Sequence, residues 1–176
     1  MSPDVNPAGK GYALWLVPAE PAFSLLADQI AKLSRELSTP QFDPHITLLS
    51  GITMPEERTL ARSAALAPSL TSFQIEPDGI NCLDEYFRCV FVSVIPDVPI
   101  LKARQSACEI FGMRDEPSYV PHISLVYGTL QPETRERIVA EFASMAGRRF
   151  VVRGLALWRV SGPVHEWTCL KEFDLK

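Results

Sequence analysis

The chain has 176 residues, 47% of them hydrophobic and 22% charged, which are the proportions of a chain that buries a core and forms one domain. With 17 basic residues against 21 acidic ones the formal net charge is -4. That balance argues against a protein that grips long nucleic acid by its backbone, which takes many Lys/Arg–phosphate contacts, but leaves small anionic ligands open.

The first eleven residues are polar, with Pro3, Pro7 and Gly9, and lack the apolar run of a signal peptide. Residues 1–10 read as a flexible N-terminus and 11–176 as a single bilobal domain. No apolar stretch reaches membrane-span length, so a cytoplasmic protein with no membrane partner is expected. The first strand is predicted at Tyr12–Val17, stopped by Pro18. A helix follows, opened by Pro21, with Leu26, Ile30, Leu33 and Leu37 in one apolar stripe.

Pro40–Leu48 reads Pro-Gln-Phe-Asp-Pro-His-Ile-Thr-Leu and leads into a strand carrying Ile46, Leu48 and Leu49. Pro55 starts the next helix, with Thr53 and Glu56 spaced as a capping box. A strand is expected over Ser72–Ile80. Cys89–Ile95 is the next, followed by a helix over Val98–Phe111 that turns Ile100, Ala103, Ala107 and Phe111 inward. Pro117–Leu125 then reads Pro-Ser-Tyr-Val-Pro-His-Ile-Ser-Leu, with a helix after it from Pro132. Strands at Phe150–Val160 and His165–Phe173 complete the chain. His165, near Gly162-Pro163, reads as a turn or strand residue.

The two histidine phrases belong to a repeat. At an offset of 77, residues 40–58 align on 117–135 without a gap, and nine of the 19 pairs are identical. Agreement of this length, with matching strands and helices upstream, predicts an α+β fold of two β-α-β-α lobes. They would be related by a pseudo-twofold, with antiparallel sheets lining a central groove.

Strand alternation sets His45 and Thr47 on one face and Ile46 and Leu48 on the other; the same holds for His122 and Ser124 against Ile123 and Leu125. The apolar pairs pack toward the helices, so both imidazoles and both hydroxyls face the groove. Such a set suits phosphodiester hydrolysis. One imidazole takes a proton from water, the other gives one to the departing oxygen, and the hydroxyls donate to phosphate oxygens. Nothing in it calls for a metal or cofactor: the four cysteines (Cys82, Cys89, Cys108 and Cys169) lack metal-ligand spacing and are expected to be reduced.

At His45-Ile46-Thr47 and His122-Ile123-Ser124 the chain resembles the 2H phosphoesterase superfamily, marked by two His-x-Thr/Ser motifs. Tyr-Ala-Leu-Trp-Leu-Val-Pro, Phe-Asp-Pro-His-Ile-Thr, Phe-Arg-Cys-Val-Phe and Tyr-Val-Pro-His-Ile-Ser-Leu-Val-Tyr carry the likeness further. They resemble the cyclic phosphodiesterase branch of plants and fungi, which acts in turnover of a tRNA-splicing by-product. The resemblance implies a bilobal fold, no metal, and catalysis by His45 and His122. The implied reactions are opening of ADP-ribose 1″,2″-cyclic phosphate to the 1″-phosphate and of 2′,3′-cyclic nucleotides to 2′-phosphates; apart from the resemblance, a monomer is expected. The resemblance points to His122 as base and His45 as acid, with Trp15, Tyr127 and Phe87 lining the pocket. Strict alternation turns Tyr127 away from that pocket unless the strand bulges or ends at Val126–Gly128. Plant members carry disulfide cysteines that this chain matches incompletely, so no disulfide is carried over. Two other readings of the same residues are a 2′-5′ RNA ligase-like enzyme acting on RNA ends and a non-catalytic binder of phosphorylated ligands. Net negative charge disfavours the first, and an intact histidine pair the second.

Overall fold

The computed structural model describes residues 9–176, so most of the expected flexible terminus lies outside the described residues. Gly9 itself bridges to Gly162. The described residues form eight strands and four helices: β1 (Tyr12–Pro18), α1 (Ala22–Leu37), β2 (Ile46–Ile52), α2 (Glu56–Leu66), β3 (Phe73–Ile75), β4 (Pro77–Cys82), β5 (Val90–Val94), α3 (Val98–Phe111), β6 (His122–Val126), α4 (Pro132–Glu141), β7 (Phe150–Arg159) and β8 (Thr168–Asp174).

Helix ends follow local chemistry. Asp97 caps α3 by accepting a hydrogen bond from the Ile100 amide, and Gly112 closes it in the left-handed conformation at φ 64°. In α1 the predicted stripe is buried at Leu26, Ile30 and Leu33. The capping box expected at Thr53 does not form. Pro55 occupies the N-cap, so Glu56 stands at the first helical position and its carboxylate accepts from Tyr12 and Arg159 instead.

The strands hydrogen-bond in the order β3-β7-β1-β2-β6-β5-β4, with β8 on β7. The two lobes meet where β2 lies antiparallel to β6, paired at Ile46↔Ile123. These residues are 77 apart, the offset of the repeat, so each sits opposite its own copy and the pseudo-twofold passes between them. α1 packs against β6 and α3 against β2, so each lobe helps to cover its neighbour. Arg104 of α3, buried, donates to the Leu48 carbonyl at 2.6 Å and to Asp115 at 3.0 Å, and Tyr119 donates to the Thr47 carbonyl at 3.1 Å. Side chains of the second lobe thus hold the strand that carries the first histidine phrase.

Two expectations fail by a segment. Ser72–Ile80 is not one strand: β3 pairs with β7 and β4 with β5, at opposite ends of the sheet. Pro77 begins β4, and a proline, having no N–H to donate, is suited to a first strand residue rather than a strand interior. His165 lies in a short 3₁₀ turn, Val164–Glu166, before β8 rather than in it. The four cysteines are free thiols. No helix among the described residues is long and apolar enough to cross a membrane.

Candidate active site

One groove of about 480 Å³ lies where β1, β2 and β6 present the face turned away from the helices. His45, Thr47 and Ser50 line it from the first lobe, His122, Phe87, Arg88 and Tyr127 from the second, and Trp15 and Trp167 close one side. The repeat therefore brings both histidines to one place.

Each ring is held the same way. His45 Nδ1 lies 2.6 Å from the Asp43 carbonyl oxygen and His122 Nδ1 lies 2.8 Å from that of Val120, positions again 77 apart. A carbonyl oxygen can only accept, so each Nδ1 carries the hydrogen and each Nε2 is left with a lone pair.

Beyond this the two sites differ. Trp15 stacks on His45 with 3.5 Å between ring centroids, whereas Phe91, the cross-strand partner of Ser124 as Trp15 is of Thr47, meets His122 edge-on at 5.2 Å. His45 is only 5% exposed, and burial pushes its pKa down to about 3, with His122 adding a further lowering influence. His122 is partly exposed; burial lowers its pKa too, Arg88 works in the same direction, and Glu85 opposes them.

Both lobes carry a β-bulge at equivalent residues. The register passes from Leu14↔Leu49 to Trp15↔Thr47 in one lobe and from Val90↔Val126 to Phe91↔Ser124 in the other, leaving Leu48 and Leu125 as the extra residues. The bulge falls just before the segment where the sequence required one. Beyond it Ser50 and Tyr127 turn into the groove. Tyr127 Oη lies 3.4 Å from His45 Nε2, and burial raises the phenol's pKa, so it stays protonated beside that ring. Phe42 stacks on its ring at 3.8 Å.

Of the residues expected from sequence, His45, His122, Thr47, Tyr127, Phe87 and Trp15 all line the groove. Trp15 has His45 on one face and Trp158, at 4.3 Å, on the other, so it offers the groove no free face for stacking. Ser124 is not among the lining residues; it is buried and gives its hydroxyl hydrogen to the Phe87 carbonyl at 2.9 Å. Sequence reasoning missed Trp167, Arg88, Lys10 and Ser50. Arg88 follows Phe87 directly, and Ser50 is the repeat counterpart of Tyr127, so both signals were present. Trp167 lies outside the repeat and has none.

The chain matches known proteins over nearly its whole described length. Residues 10–175 match the family model described as cyclic phosphodiesterase-like protein. A cyclic phosphodiesterase of Arabidopsis thaliana is 26% identical, with 83% of each chain covered. A 2′,3′-cyclic-nucleotide 3′-phosphodiesterase of Yarrowia lipolytica is 27% identical, covering 91% of this chain and 97% of its own. Two solved structures share the fold. LigT of E. coli complexed with 3′-AMP has a TM-score of 0.59 at 15% identity, covering 96% of this chain and 99% of its own. The protein TT0787 of Thermus thermophilus has a TM-score of 0.62 at 20% identity, covering 94% and 97%.

Proposed function

The chain belongs to the family of cyclic phosphodiesterase-like proteins and is an enzyme of that kind, and from this premise we propose a metal-independent hydrolysis of ribose cyclic phosphates in which His45 and His122 each move one proton. The observation that carries the proposal is the pair of imidazoles in one groove, each with Nδ1 tied to a backbone carbonyl. Fixing Nδ1 leaves Nε2 as the nitrogen available for proton exchange on both rings.

In the reaction, water attacks phosphorus and the bond from phosphorus to one ribose oxygen breaks. One Nε2 takes the proton that water loses, and the other supplies the proton that the ribose oxygen needs. A productive complex therefore holds one proton on the pair. His45 is the more deeply buried and the more strongly held neutral, so that proton rests on His122. We accordingly assign His45 as base and His122 as acid, the reverse of the roles the family resemblance implies. Afterwards the proton sits on His45, and exchange with solvent resets the pair.

Thr47, on the groove wall, donates to a non-bridging oxygen of the phosphate. Phe87 and Trp167, with ring centroids 5.8 Å apart and neither fully buried, offer apolar surface to a base or ribose. The substrates we propose are 2′,3′-cyclic nucleotides, opened to 2′-phosphates, and ADP-ribose 1″,2″-cyclic phosphate, opened to the 1″-phosphate. The names of the two relatives and the small nucleotide held by LigT support a small cyclic phosphate as substrate. The test is product identification after incubation with each compound beside an oligonucleotide ending in a 2′,3′-cyclic phosphate. Turnover confined to the oligonucleotide would replace this reading with RNA-end processing.

A further inference from the structure

We infer that Arg88 binds a second phosphate of the substrate, one separated from the reacting cyclic phosphate by the ribose, so that the preferred substrates are cyclic phosphates that also carry a phosphate or diphosphate on the 5′ side. The inference rests on the cyclic phosphodiesterase reading and deepens it.

The groove's charge is the first ground. The chain is net acidic, yet the charged side chains lining the groove are Lys10 and Arg88, and no carboxylate joins them among the described residues. Such a lining attracts anions and concentrates their field in a low-dielectric cleft.

Position is the second. His45 lies on the floor of the groove at 5% exposure, whereas the Arg88 side chain is 37% exposed. Arg88 therefore marks the mouth, at the His122 end, where its charge disfavours the proton on that ring. A phosphate lodged between the two Nε2 atoms and Thr47 already has its partners. A guanidinium at the rim suits the next anionic group along the molecule.

The third ground is preorganisation. Arg88 Nε donates to Glu85 at 2.9 Å and Nη2 donates to the same carboxylate at 2.9 and 2.7 Å, while Nη1 stays out of the pair. Glu85 stands three residues before Arg88, at the start of the 3₁₀ turn Tyr86–Arg88. It holds one edge of the fork and leaves the rest to a phosphate, which guanidinium binds in a charge-assisted way. An exposed ion pair adds little to stability by itself, so the arrangement is not explained by folding.

The experiment is a cycle between protein and substrate. Adenosine 2′,3′-cyclic phosphate and its 5′-phosphate are turned over by the wild-type protein, by Arg88→Met and by Glu85→Gln. The wild type should favour the 5′-phosphorylated compound in kcat/KM by on the order of ten- to a hundredfold, as a charged hydrogen bond implies, chiefly through KM. Arg88→Met should abolish that preference, read as the ratio of the two substrates' kcat/KM within each protein so that any effect on the His122 proton, common to both substrates, cancels, and Glu85→Gln should weaken it. Raising the salt concentration should shrink it as well. A dinucleotide ending in a cyclic phosphate forms a third arm: an Arg88-dependent gain there places the second phosphate in an RNA end. Equal losses on the plain and the phosphorylated substrate would instead put Arg88 on the reacting phosphate and overturn the inference. Binding of adenosine 5′-diphosphate against adenosine, measured calorimetrically, supplies a readout without turnover. A difference that Arg88→Met removes supports the inference even if neither cyclic compound is hydrolysed, which would count against the enzymatic reading alone. The same difference in both proteins overturns it.

Discussion

The indole of Trp15 lies 5° from parallel with the imidazole of His45, and Trp158 closes its opposite face. His45 is thus clamped in a dry aromatic stack, while His122 meets only the edge of Phe91 and keeps contact with water. Two residues that began as copies have been given different surroundings, and their chemistry should differ accordingly.

Replacing either histidine by alanine should lower kcat/KM by about 10²–10⁴-fold, the usual contribution of a general acid or base, with far-UV circular dichroism unchanged. A substrate whose leaving oxygen is replaced by sulfur separates the roles, since a thiolate departs without a proton. It should restore much of the activity of His122→Ala and little of that of His45→Ala. The opposite pattern would return the roles to those the family resemblance implies.

Thr47→Ala should cost more than Ser124→Ala. Thr47 faces the groove with its hydroxyl, and losing an oxyanion donor typically costs about 10²–10³-fold in kcat. Ser124 spends its hydrogen on the Phe87 carbonyl, so its removal should loosen the Phe87 turn and raise KM instead. Comparing kcat with KM for the two variants checks this.

Acidity should shape activity in a specific direction. Both imidazoles are held below their ordinary value by burial, so the singly protonated pair is populated mainly on the acid side of neutrality. kcat/KM should be bell-shaped, with its falling limb starting below about pH 6.5, the ordinary imidazole value. The two limbs belong to the coupled pair rather than to one ring. A profile that climbs steadily to pH 9 would refute the two-imidazole scheme.

Stability should respond to the same burial. Below the ordinary value near 6.5 an unfolded His45 binds a proton that the folded one, at about 3, refuses. Its contribution is therefore complete above pH 6.5 and drains away as pH falls toward 3, at no more than about 1.4 kcal/mol per pH unit. Denaturant melts from pH 4 to 7 should show a shallower dependence in His45→Gln than in wild type.

Activity is expected to survive exhaustive chelation. The groove offers two histidines, His45 just before β2 and His122 at the start of β6, with no carboxylate or thiol among its lining residues, and no trio of His, Cys, Asp or Glu among the described residues is placed to hold a metal ion. Loss of turnover with EDTA, regained with a divalent ion, would contradict the mechanism.

Much of this arrangement is legible in the residues alone. The offset of 77 announces a twofold, and alternation from Ile46 and Ile123 announces which way the histidines face. Alternation could not reveal the bulges at Leu48 and Leu125, because an extra residue in a strand leaves no mark on its hydrophobic pattern. Without them Tyr127 reads as pointing into the core. The division at Glu76–Pro77 was equally hidden: both halves have strand-like composition, and only tertiary pairing sends one to β7 and the other to β5. Trp15 could be read as core or as pocket, and it is both, buried to 2% exposure and stacked on a groove histidine.

The rung at Ile46↔Ile123, where each residue meets its own copy, is the contact that a half-length chain would make in forming an isologous homodimer. In such a dimer every substitution appears twice, and the two imidazoles are bound to share one environment. Joining the halves in one polypeptide removes that obligation. A tryptophan can then be set against one ring and a phenylalanine against the other, and a lone arginine can stand at one mouth of the groove. Covalent linkage is what permits a site of symmetric descent to tell its acid from its base.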